Sequence, residues 1–373
     1  MTDWTRTRVS GLFGTRYPIV QGPFGGGVST VALTAAVSAA GGLGSYGGHH
    51  LPADELDTTL KNLRAATDQP FAVNLWVPTE GQPTGIDEDT FRAGMARLRP
   101  WYDALELPQP DYTPQSLPDF GEQVDVVLEH RPAVFSFVFG LPGPRVLAEC
   151  RRRGIVTVGA ATNLDEGRAL ADARVDVVVA SGVEAGGHRP SFLRPAEESV
   201  ATGPLTAQLA GTLRVPVIAA GGIADGRGIA AAFALGAEGA QVGTAFLATE
   251  QSGALEVHKR ELHGDRARYT LLTRAFSGRH GRGIRNAFLD AFADDPFPGL
   301  GPIPPYPQQL WLTAPLRAAG VDPEVLFLYA GQGAPLLHPA RTDAGDLLRF
   351  LAEDTDRVLA RLATLSIDAP RTP

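Results

Sequence analysis

The sequence alternates eight short apolar runs with longer amphipathic, often alanine-rich stretches, and this alternation constrains the fold more than any other feature. Most of the runs are apolar at every position, as strands buried on both faces must be. Eight strand–helix units in succession predict an α/β protein, a closed (β/α)8 TIM barrel, with an open doubly wound sheet as the alternative. The predicted strands span 17–21, 43–46, 71–75, 133–137, 156–160, 175–180, 217–220 and 239–242, and the predicted helices span 30–40, 56–66, 145–153, 164–173, 204–213 and 227–235.

Two regions exceed what a plain barrel needs. The barrel domain is expected to occupy residues 1–250, with an insertion at about 76–130 that carries helices around 91–98 and 120–129. The insertion follows the third strand at the face where barrel active sites form, so it is expected to be a lid or pocket wall; a decorative excursion is the alternative. Residues 251–373 are predicted to form a smaller, mostly helical second domain that caps the C-terminal face of the barrel. Its predicted helices lie at 253–262 and 343–365, on either side of a turn-rich stretch at 294–307.

Composition excludes several classes of function. The net charge is −8 and no run of basic residues exceeds three, so nucleic-acid binding is not expected. The single cysteine, Cys150, excludes an internal disulfide and a cysteine-based zinc site, and no histidine spacing predicts another metal site. No strongly apolar segment is long enough to span a membrane and the N-terminus lacks a signal-peptide pattern, so a cytoplasmic protein without membrane contact is expected.

Glycines at the ends of the last two predicted strands indicate a phosphate site. Gly221 and Gly222 follow the seventh strand, and Gly243 and Thr244 follow the eighth. In (β/α)8 barrels these two loops commonly bind phosphate through exposed backbone N–H groups. The alternative is that the glycines serve only tight turns. Because the segment GGIADG (221–226) lacks the G-x-G-x-x-G fingerprint and the chain has no P-loop, FMN fits this site better than a dinucleotide or ATP.

A histidine follows the sixth predicted strand in the segment VEAGGHRP. Gly186 and Gly187 let the backbone pass close to a planar ligand, and His188 is then directed into the barrel mouth. Its ordinary pKa near 6.5 suits a general base. Glu184 is expected to orient this loop or the imidazole, or else to be a solvated carboxylate, and His49 is a candidate for lining the same pocket.

Several segments together resemble the nitronate monooxygenase family, once called 2-nitropropane dioxygenases. The resemblance runs in the right order through nearly the whole chain. The matching segments are PIVQGP (18–23), SAAGGLGSYG (38–47), FAVNL (71–75), FSFVFGLP (135–142), VEAGGHRP (183–190), AAGGIADGRG (219–228), QVGTAFLATEQSGA (241–254), FSGRHGRGIRN (276–286), PYPQQLWLTAPLR (305–317) and LYAGQGAPL (328–336).

The resemblance implies an FMN-dependent oxidoreductase that oxidises alkyl nitronates with O2 to a carbonyl compound and nitrite. It implies that His188 is the active-site base and that Tyr306 borders a pocket for a small nitronate-like substrate, and Phe24 and His49 are the other residues predicted to line this pocket. A homodimer is possible. The residues that the resemblance and the glycine pattern assign to FMN are Gln21, Gly22, Pro23, Asn74, Ser181, Gly186, Gly187, Gly221, Gly222, Gln241, Val242, Gly243 and Thr244.

Three positions depart from the family pattern. Phe24 stands where methionine is usual, Ser181 where glutamine is usual, and Ala314 where lysine is common. Serine is too short to make the cofactor contact of glutamine, at a cost of about 0.5–1.5 kcal/mol for one hydrogen bond. The alternatives are therefore an FMN-dependent NAD(P)H enoyl reductase, a flavoenzyme of specialised metabolism that acts on a nitro or N-oxygenated intermediate, and a flavin-binding protein without turnover.

Overall fold

The computed structural model describes residues 3–292, 302–320 and 322–364. The turn-rich stretch predicted at 294–307 therefore lies partly outside the described residues. Residue 365, the predicted end of the last helix, lies outside them too. The strands, in chain order, are β1 (Ile19–Gln21), β2 (Gly44–Gly47), β3 (Phe71–Trp76), β4 (Val134–Val138), β5 (Val156–Ala161), β6 (Val177–Ser181), β7 (Gly187–His188), β8 (Val217–Ala220), β9 (Gly239–Val242), β10 (Thr270–Thr273) and β11 (Gly281–Ile284).

Eight of these strands form a parallel barrel in the order β1-β9-β8-β6-β5-β4-β3-β2. The ring closes between β1 and β2, where Val20 bridges Leu43 in parallel. The Gln21 N–H donates to the Leu43 carbonyl and the Leu43 N–H donates to the Ile19 carbonyl, each over 3.0 Å. The closed (β/α)8 barrel is therefore confirmed, and the open doubly wound sheet is excluded.

The barrel interior is filled by small and branched side chains, which explains why the strand sequences are apolar on both faces. Val20, Ala72, Val158 and Ile218 belong to one buried cluster inside the ring. Helix α1 (Arg8–Phe13) adds Val9 and Phe13 to the same cluster and so covers one end of the barrel. The ring is a packed core, and room for a ligand exists only beyond the strand ends.

Helices surround the barrel and also build the region beside it. The last helix, α14 (Ala344–Thr364), packs against α9 (Gly226–Ala234) and α2 (Val31–Ala39). It buries Leu348 and Leu351 together with Leu33 of α2. It thus takes the place of the eighth barrel helix, although the chain reaches it only after the capping region. The remaining helices are α2 (Val31–Ala39), α3 (Ala53–Ala66), α4 (Glu88–Ala104), α5 (Phe120–His130), α6 (Pro144–Arg152), α7 (Leu164–Asp172), α8 (Thr202–Thr212), α9 (Gly226–Ala234), α10 (Thr244–Leu247), α11 (Glu256–Leu262), α12 (Ala287–Ala291), α13 (Gln308–Ala319) and α14 (Ala344–Thr364).

The insertion and the C-terminal region share a second apolar core. Helix α4 packs against α13, and an aromatic cluster that includes Tyr102, Phe276 and Phe288 lies between them. Strands β10 and β11 form an antiparallel sheet with β7, a pairing that the sequence analysis did not predict. The boundary near residue 250 stays a prediction. None of the helices described is both long and apolar enough to cross a membrane.

Candidate active site

The residues predicted to hold a cofactor lie at the C-terminal ends of the barrel strands. Gly22 and Pro23 follow β1, Ser181 ends β6, and Gly243 follows β9. The Gly22 N–H donates to the Val242 carbonyl over 2.8 Å, and a Cβ at Gly22 would lie 3.3 Å from the Gly243 Cα. The structure thus brings together segments that are more than 200 positions apart in the sequence.

Backbone conformation at the predicted phosphate loops requires glycine at two positions. Gly221 has φ 125° and Gly222 has φ 70°, both in the region that L side chains rarely adopt. Gly243 differs, because the nearest protein atom to a Cβ built there is the Phe24 Cε1 at 3.8 Å. Its backbone therefore borders open space at the barrel mouth, as a phosphate site needs.

The segment 330–333 (AGQG) packs directly onto these glycines. The Gly331 N–H donates to the Thr244 Oγ1 over 2.9 Å, and the Gln332 N–H donates to the Glu184 carbonyl over 2.9 Å. A Cβ at Gly186 would lie 2.6 Å from the Gly331 N, and one at Gly333 would lie 2.5 Å from the Gly222 carbonyl oxygen. Glycines are needed on both sides of this contact. In the sequence this segment was recognised only as part of a match to the family, and no role was predicted for it.

Two predicted cofactor residues already use their side chains within the protein. The Gln21 Oε1 accepts from the Ser45 N–H over 2.9 Å and its Nε2 donates to the Gly22 carbonyl, so the Gln21 side chain is held in place by hydrogen bonds within the protein. The Asn74 Nδ2 donates to the Ser136 Oγ over 3.0 Å, which leaves its Oδ1 free to accept. Thr244 accepts from Gly331 and keeps its hydroxyl hydrogen for donation.

His188 is held in a strand and not on a free loop. It belongs to β7 and pairs with Gly281 of β11, and its Nε2 lies 2.7 Å from the Ser277 Oγ. The Tyr329 hydroxyl lies 3.3 Å from Nδ1 and 3.2 Å from Nε2. Burial, followed by the charge of Arg279, lowers the pKa of His188 to about 3. The imidazole is therefore neutral near pH 7 and can accept a proton.

Aromatic rings surround the imidazole of His188. Tyr306, predicted as a pocket residue, lies with its ring centre 6.4 Å from that of His188 and is buried. Its burial raises the pKa of its hydroxyl to about 12, so this group stays protonated. The other rings around His188 are those of Trp76 at 5.1 Å, Tyr329 at 5.4 Å, Phe327 at 6.2 Å and Phe139 at 6.5 Å.

Sequence reasoning missed these other aromatic residues, although two of them carried a signal. Trp76 is the last residue of β3, one position beyond the predicted strand, where barrel strands present catalytic residues. Phe139 follows β4 and has φ 70°, and such strain in a non-glycine residue often marks a functional site. Phe327 and Tyr329 come from the C-terminal region and had no local signal.

A half-buried arginine borders the same pocket. The Arg279 guanidinium carbon lies 3.9 Å from the ring centre of Phe139 and 4.8 Å from that of Tyr306. It donates to the Thr79 Oγ1 and the Gln82 Oε1 of the insertion, both over 2.9 Å. Burial lowers its pKa to about 10, so it remains charged near pH 7. These contacts favour a pocket wall over an excursion as the role of the insertion, and that role stays a prediction.

The second predicted pocket residue, His49, lies against Trp76. The two rings are parallel within 5° and their centres are 3.7 Å apart. Glycine is needed opposite, because a Cβ at Gly25 would lie 2.1 Å from the His49 Cε1. Burial, followed by the charge of His50, lowers the pKa of His49 well below its usual value. His49 therefore enters the pocket as a second neutral imidazole.

The three departures from the family pattern all occupy the site or its border. Phe24 lies beside Gly243, and Ser181 is buried at the end of β6. Ala314 lies on α13, one turn before Arg317. The Arg317 Nε is buried without a hydrogen-bond partner among the described residues, and its charge acts on His188. Helix α13 therefore still supplies a cation near the imidazole.

The loop before His188 is braced by charged side chains. The Glu184 carboxylate accepts from the Thr202 N–H over 2.8 Å and from the Thr202 hydroxyl over 2.6 Å. Arg189 is almost fully buried and donates to the carbonyls of Gly182 and Ala185. Of the two roles considered for Glu184, the contacts favour orientation of the loop, since its carboxylate binds Thr202 and not the imidazole.

Comparison with known proteins gives the same family from both sequence and structure. The model of the family described as "Nitronate monooxygenase" matches residues 6–354. The chain belongs to the nitronate monooxygenase family. A "Probable nitronate monooxygenase" of Staphylococcus aureus (strain Newman) is 35% identical over 352 residues, which are 92% of this chain and 97% of the relative.

Solved structures of related proteins agree with this assignment. A nitroalkane oxidase from Streptomyces ansochromogenes is 37% identical with a TM-score of 0.83, over 95% of this chain and 99% of that one. FabK from Thermotoga maritima is 29% identical with a TM-score of 0.74, over 96% of this chain and 99% of that one. Membership of the family makes the protein a flavin-dependent oxidoreductase of the monooxygenase type, with a small-molecule substrate and O2.

The residues present fit a flavin. The backbone at Gly222 and Gly243, with the Thr244 hydroxyl, offers donors around open space for a phosphate. The backbone at Gly22 reaches the same strand end through its contact with Val242, and Gly187 has no protein atom closer than 4.0 Å to a Cβ built on it. A flat ring can approach the backbone closely at such positions.

Proposed function

We propose that this protein binds FMN and oxidises alkyl nitronates with O2 to a carbonyl compound and nitrite, with His188 as the active-site base. The observation that carries the proposal is the neutral imidazole of His188, which lies among aromatic rings beside the glycine loops at the barrel mouth. A base with a lowered pKa in a pocket is a strong functional indicator.

FMN is the flavin that the glycine loops suit best. The backbone at Gly222 and Gly243 and the hydroxyl of Thr244 would hold its phosphate. The backbone around Gly22 and the amide of Asn74 would face its ring. The G-x-G-x-x-G string at 42–47 runs into strand β2 and does not open a helix, so it does not form a dinucleotide-binding turn. Bound FMN supplies electron transfer from the substrate to O2.

The charge of the pocket suits an anionic substrate such as a nitronate. Arg279 and Arg317 both act on His188, and neither makes an ion pair with a carboxylate among the described residues. Cations in a water-poor pocket attract an anion more strongly than cations in water do. The rings of Trp76 and Tyr306, whose centres lie 5.4 Å apart, give the pocket an apolar wall that suits an alkyl group.

His188 then serves as the proton acceptor of the pocket. Its neutral ring can take a proton from the carbon that bears the nitro group, which converts a neutral nitro compound into the nitronate. The electron pair of the C–H bond stays on the substrate, and the proton moves to the imidazole. Arg279 stabilises the negative charge that develops on the nitro oxygens.

The proposal is tested by the colour of the flavin. We expect the purified protein to be yellow and to release FMN on denaturation, identified by its mass. Anaerobic mixing with an alkyl nitronate is expected to bleach the visible flavin band, and later admission of air is expected to restore the band and yield nitrite. The matched arm replaces the nitronate with NADPH or NADH under the same conditions.

Each outcome has a defined meaning. Bleaching by the nitronate alone supports nitronate oxidation, whereas bleaching by NAD(P)H alone favours the enoyl reductase. A yellow protein that neither compound bleaches favours a different nitro or N-oxygenated substrate of specialised metabolism, or flavin binding without turnover. A colourless protein that does not take up added FMN contradicts the assignment of the cofactor.

A further inference from the structure

We propose that Ser277 is a positioning residue that holds His188 in the Nε2–H tautomer, so that Nδ1 is the atom that accepts the proton from the substrate. The role of Nδ1 in turnover rests on the proposed function, whereas the tautomer does not depend on it.

The hydrogen-bond capacity of the Ser277 hydroxyl determines the tautomer. This hydroxyl has one hydrogen, and it donates to the Arg279 carbonyl over 3.0 Å. It also accepts from the Arg279 N–H over 3.3 Å and lies 2.7 Å from the His188 Nε2. With its hydrogen already used, the oxygen can only accept from His188, and Nε2 must therefore carry hydrogen.

The opposite tautomer would cost the Arg279 carbonyl its donor. If Nδ1 carried the hydrogen, Ser277 would have to turn its own hydrogen toward Nε2. Among the described residues the Arg279 carbonyl accepts from no donor other than Ser277, so the loss of this hydrogen bond disfavours the opposite tautomer.

The Tyr329 hydroxyl contacts the other ring nitrogen of His188, Nδ1. Burial raises the pKa of Tyr329 well above its usual value, so the hydroxyl keeps its hydrogen. It contacts both ring nitrogens, and with Nε2–H directed to Ser277 it can donate only to Nδ1. Before Nδ1 can take a proton from the substrate, the Tyr329 hydroxyl must turn its hydrogen away from the single lone pair of Nδ1, while the Nε2–H of the imidazolium keeps the Ser277 oxygen as its acceptor.

The position of Ser277 is fixed by helix α13. The Thr313 hydroxyl donates to the Phe276 carbonyl over 2.7 Å, and the Gln309 Nε2 donates to the Ala275 carbonyl over 2.6 Å. The same turn leads into β11, which pairs with His188. The imidazole and its acceptor are therefore held by one element, which is what a fixed tautomer requires.

Nitrogen NMR of the flavin-bound enzyme tests the tautomer directly. The protein is labelled with 15N in its histidines, and long-range couplings to the ring protons show which nitrogen of each ring carries hydrogen; the His188→Gln variant assigns the signals of His188. We expect Nε2–H at pH 7. Hydrogen on Nδ1 would overturn the proposal even if nitronate bleaches the flavin, and Nε2–H would support it even if nitronate does not.

Three variants separate positioning from structural support. We expect Ser277→Ala to mix the two tautomers of His188 and to lower kcat/KM by up to about 100-fold, as small misplacements of catalytic groups do. Ser277→Thr keeps the hydroxyl and should restore the Nε2–H signal and most of the rate. The control is Ser252→Ala, which removes a buried hydroxyl bonded to the Leu247 carbonyl away from His188.

Two results with these variants would overturn the role of Ser277. An unchanged His188 spectrum in Ser277→Ala would overturn the role of Ser277. An equal loss of rate in Ser252→Ala would attribute the effect to general loosening of the fold and would also overturn it. If Ser277→Ala does not fold, the wild-type and Ser277→Thr spectra still decide the tautomer.

Discussion

The imidazole of His188 is kept neutral by its surroundings and not by a paired carboxylate. It is enclosed by aromatic rings, and the charges that act on it come from Arg279, Arg189 and Arg317. Burial and nearby cations both disfavour protonation of the ring, and both lower its pKa. A base of this kind remains available at any pH at which the protein is folded, but it is a weak base that depends on stabilisation of the charge formed on the substrate.

Replacing His188 with alanine tests whether this neutral imidazole acts as the base. We expect the variant to keep its flavin and to lose about 10²–10⁴-fold in kcat/KM, the usual contribution of a positioned base. Because the pKa of His188 is lowered to about 3, its active neutral form is present above that pH and the loss should be constant from pH 8 to pH 5. Steady-state rates with a neutral nitroalkane across this range provide the measurement, because a preformed nitronate has no such proton for His188 to take.

A matched variant is available at His280, whose Nε2 faces the Glu197 carboxylate at 3.3 Å. His280→Ala should leave kcat/KM close to the wild-type value, since this ring is not among those that contact His188. A loss in His188→Ala that shrinks as the pH falls through 6.5 would mean that the imidazole titrates normally, contrary to the environment described.

Residues with a local signal could be predicted from the sequence, and residues whose role depends on distant packing could not. The positive φ of Gly221 and Gly222 follows from a strand that ends in two glycines, and His188 follows a strand in the same way. Arg279, Ser277 and Tyr329 reach the site from a region far along the chain. Their contacts with His188 arise only when β7 pairs with β11.

At the level of elements, the predicted barrel strands agree with the structure because burial on both faces leaves a plain apolar run. Both β8 (Val217–Ala220) and β9 (Gly239–Val242) match the prediction residue for residue. The small sheet gave no such signal. Its strands include the two residues of β7 and the GRGI sequence of β11, and glycine and arginine are poor indicators of a strand. Pairing between distant segments creates them.

Helix α14 stabilises the barrel through close contact with the start of α9. A Cβ at Gly226 would lie 2.3 Å from the Thr355 N and 2.4 Å from the Asp354 carbonyl carbon, both backbone atoms of α14. We therefore expect Gly226→Ala to force the two helices apart and to lower the free energy of unfolding by about 1–3 kcal/mol. Urea denaturation followed by circular dichroism would measure the change.

The control for this substitution is Gly211 in α8, where a Cβ meets no atom within 4 Å. Gly211→Ala should leave stability unchanged or raise it by up to about 1 kcal/mol, because glycine is a weaker helix former than alanine. Equal stability of the two variants would show that α14 does not press on α9 in solution.

At the level of the whole molecule, two cores meet at one pocket. The barrel supplies the glycine loops and Trp76, while the aromatic core of α4 and α13 supports Phe327 and Tyr329. The insertion joins the two by way of Arg279 and its bonds to Thr79 and Gln82. The proposed catalytic and cofactor-binding residues are thus divided between regions that must pack before the site exists, and whether two chains associate stays a prediction.

Several histidines lie in surroundings that keep them neutral, so the stability of the whole molecule depends on pH. The pKa values of His49, His188 and His258 are all lowered, chiefly by burial. For such a group the stabilisation is fully present above the unfolded pKa near 6.5 and is lost as the pH falls toward the folded pKa. Folding of this chain should therefore weaken between pH 6.5 and pH 4, before most carboxylates titrate.

His258 allows this expectation to be tested away from the proposed chemistry. Its Nε2 lies 2.9 Å from the Tyr329 carbonyl, and burial lowers its pKa to about 4. Between pH 7.5 and pH 5, the lowered pKa of His258 should reduce the free energy of unfolding by about 2 kcal/mol. His258→Gln keeps a donor but cannot titrate, so its urea midpoint should fall less over this range than that of the wild type. The control is His338→Gln, because His338 is exposed. An equal fall of the urea midpoint in the wild type and in both variants would contradict burial of a neutral His258.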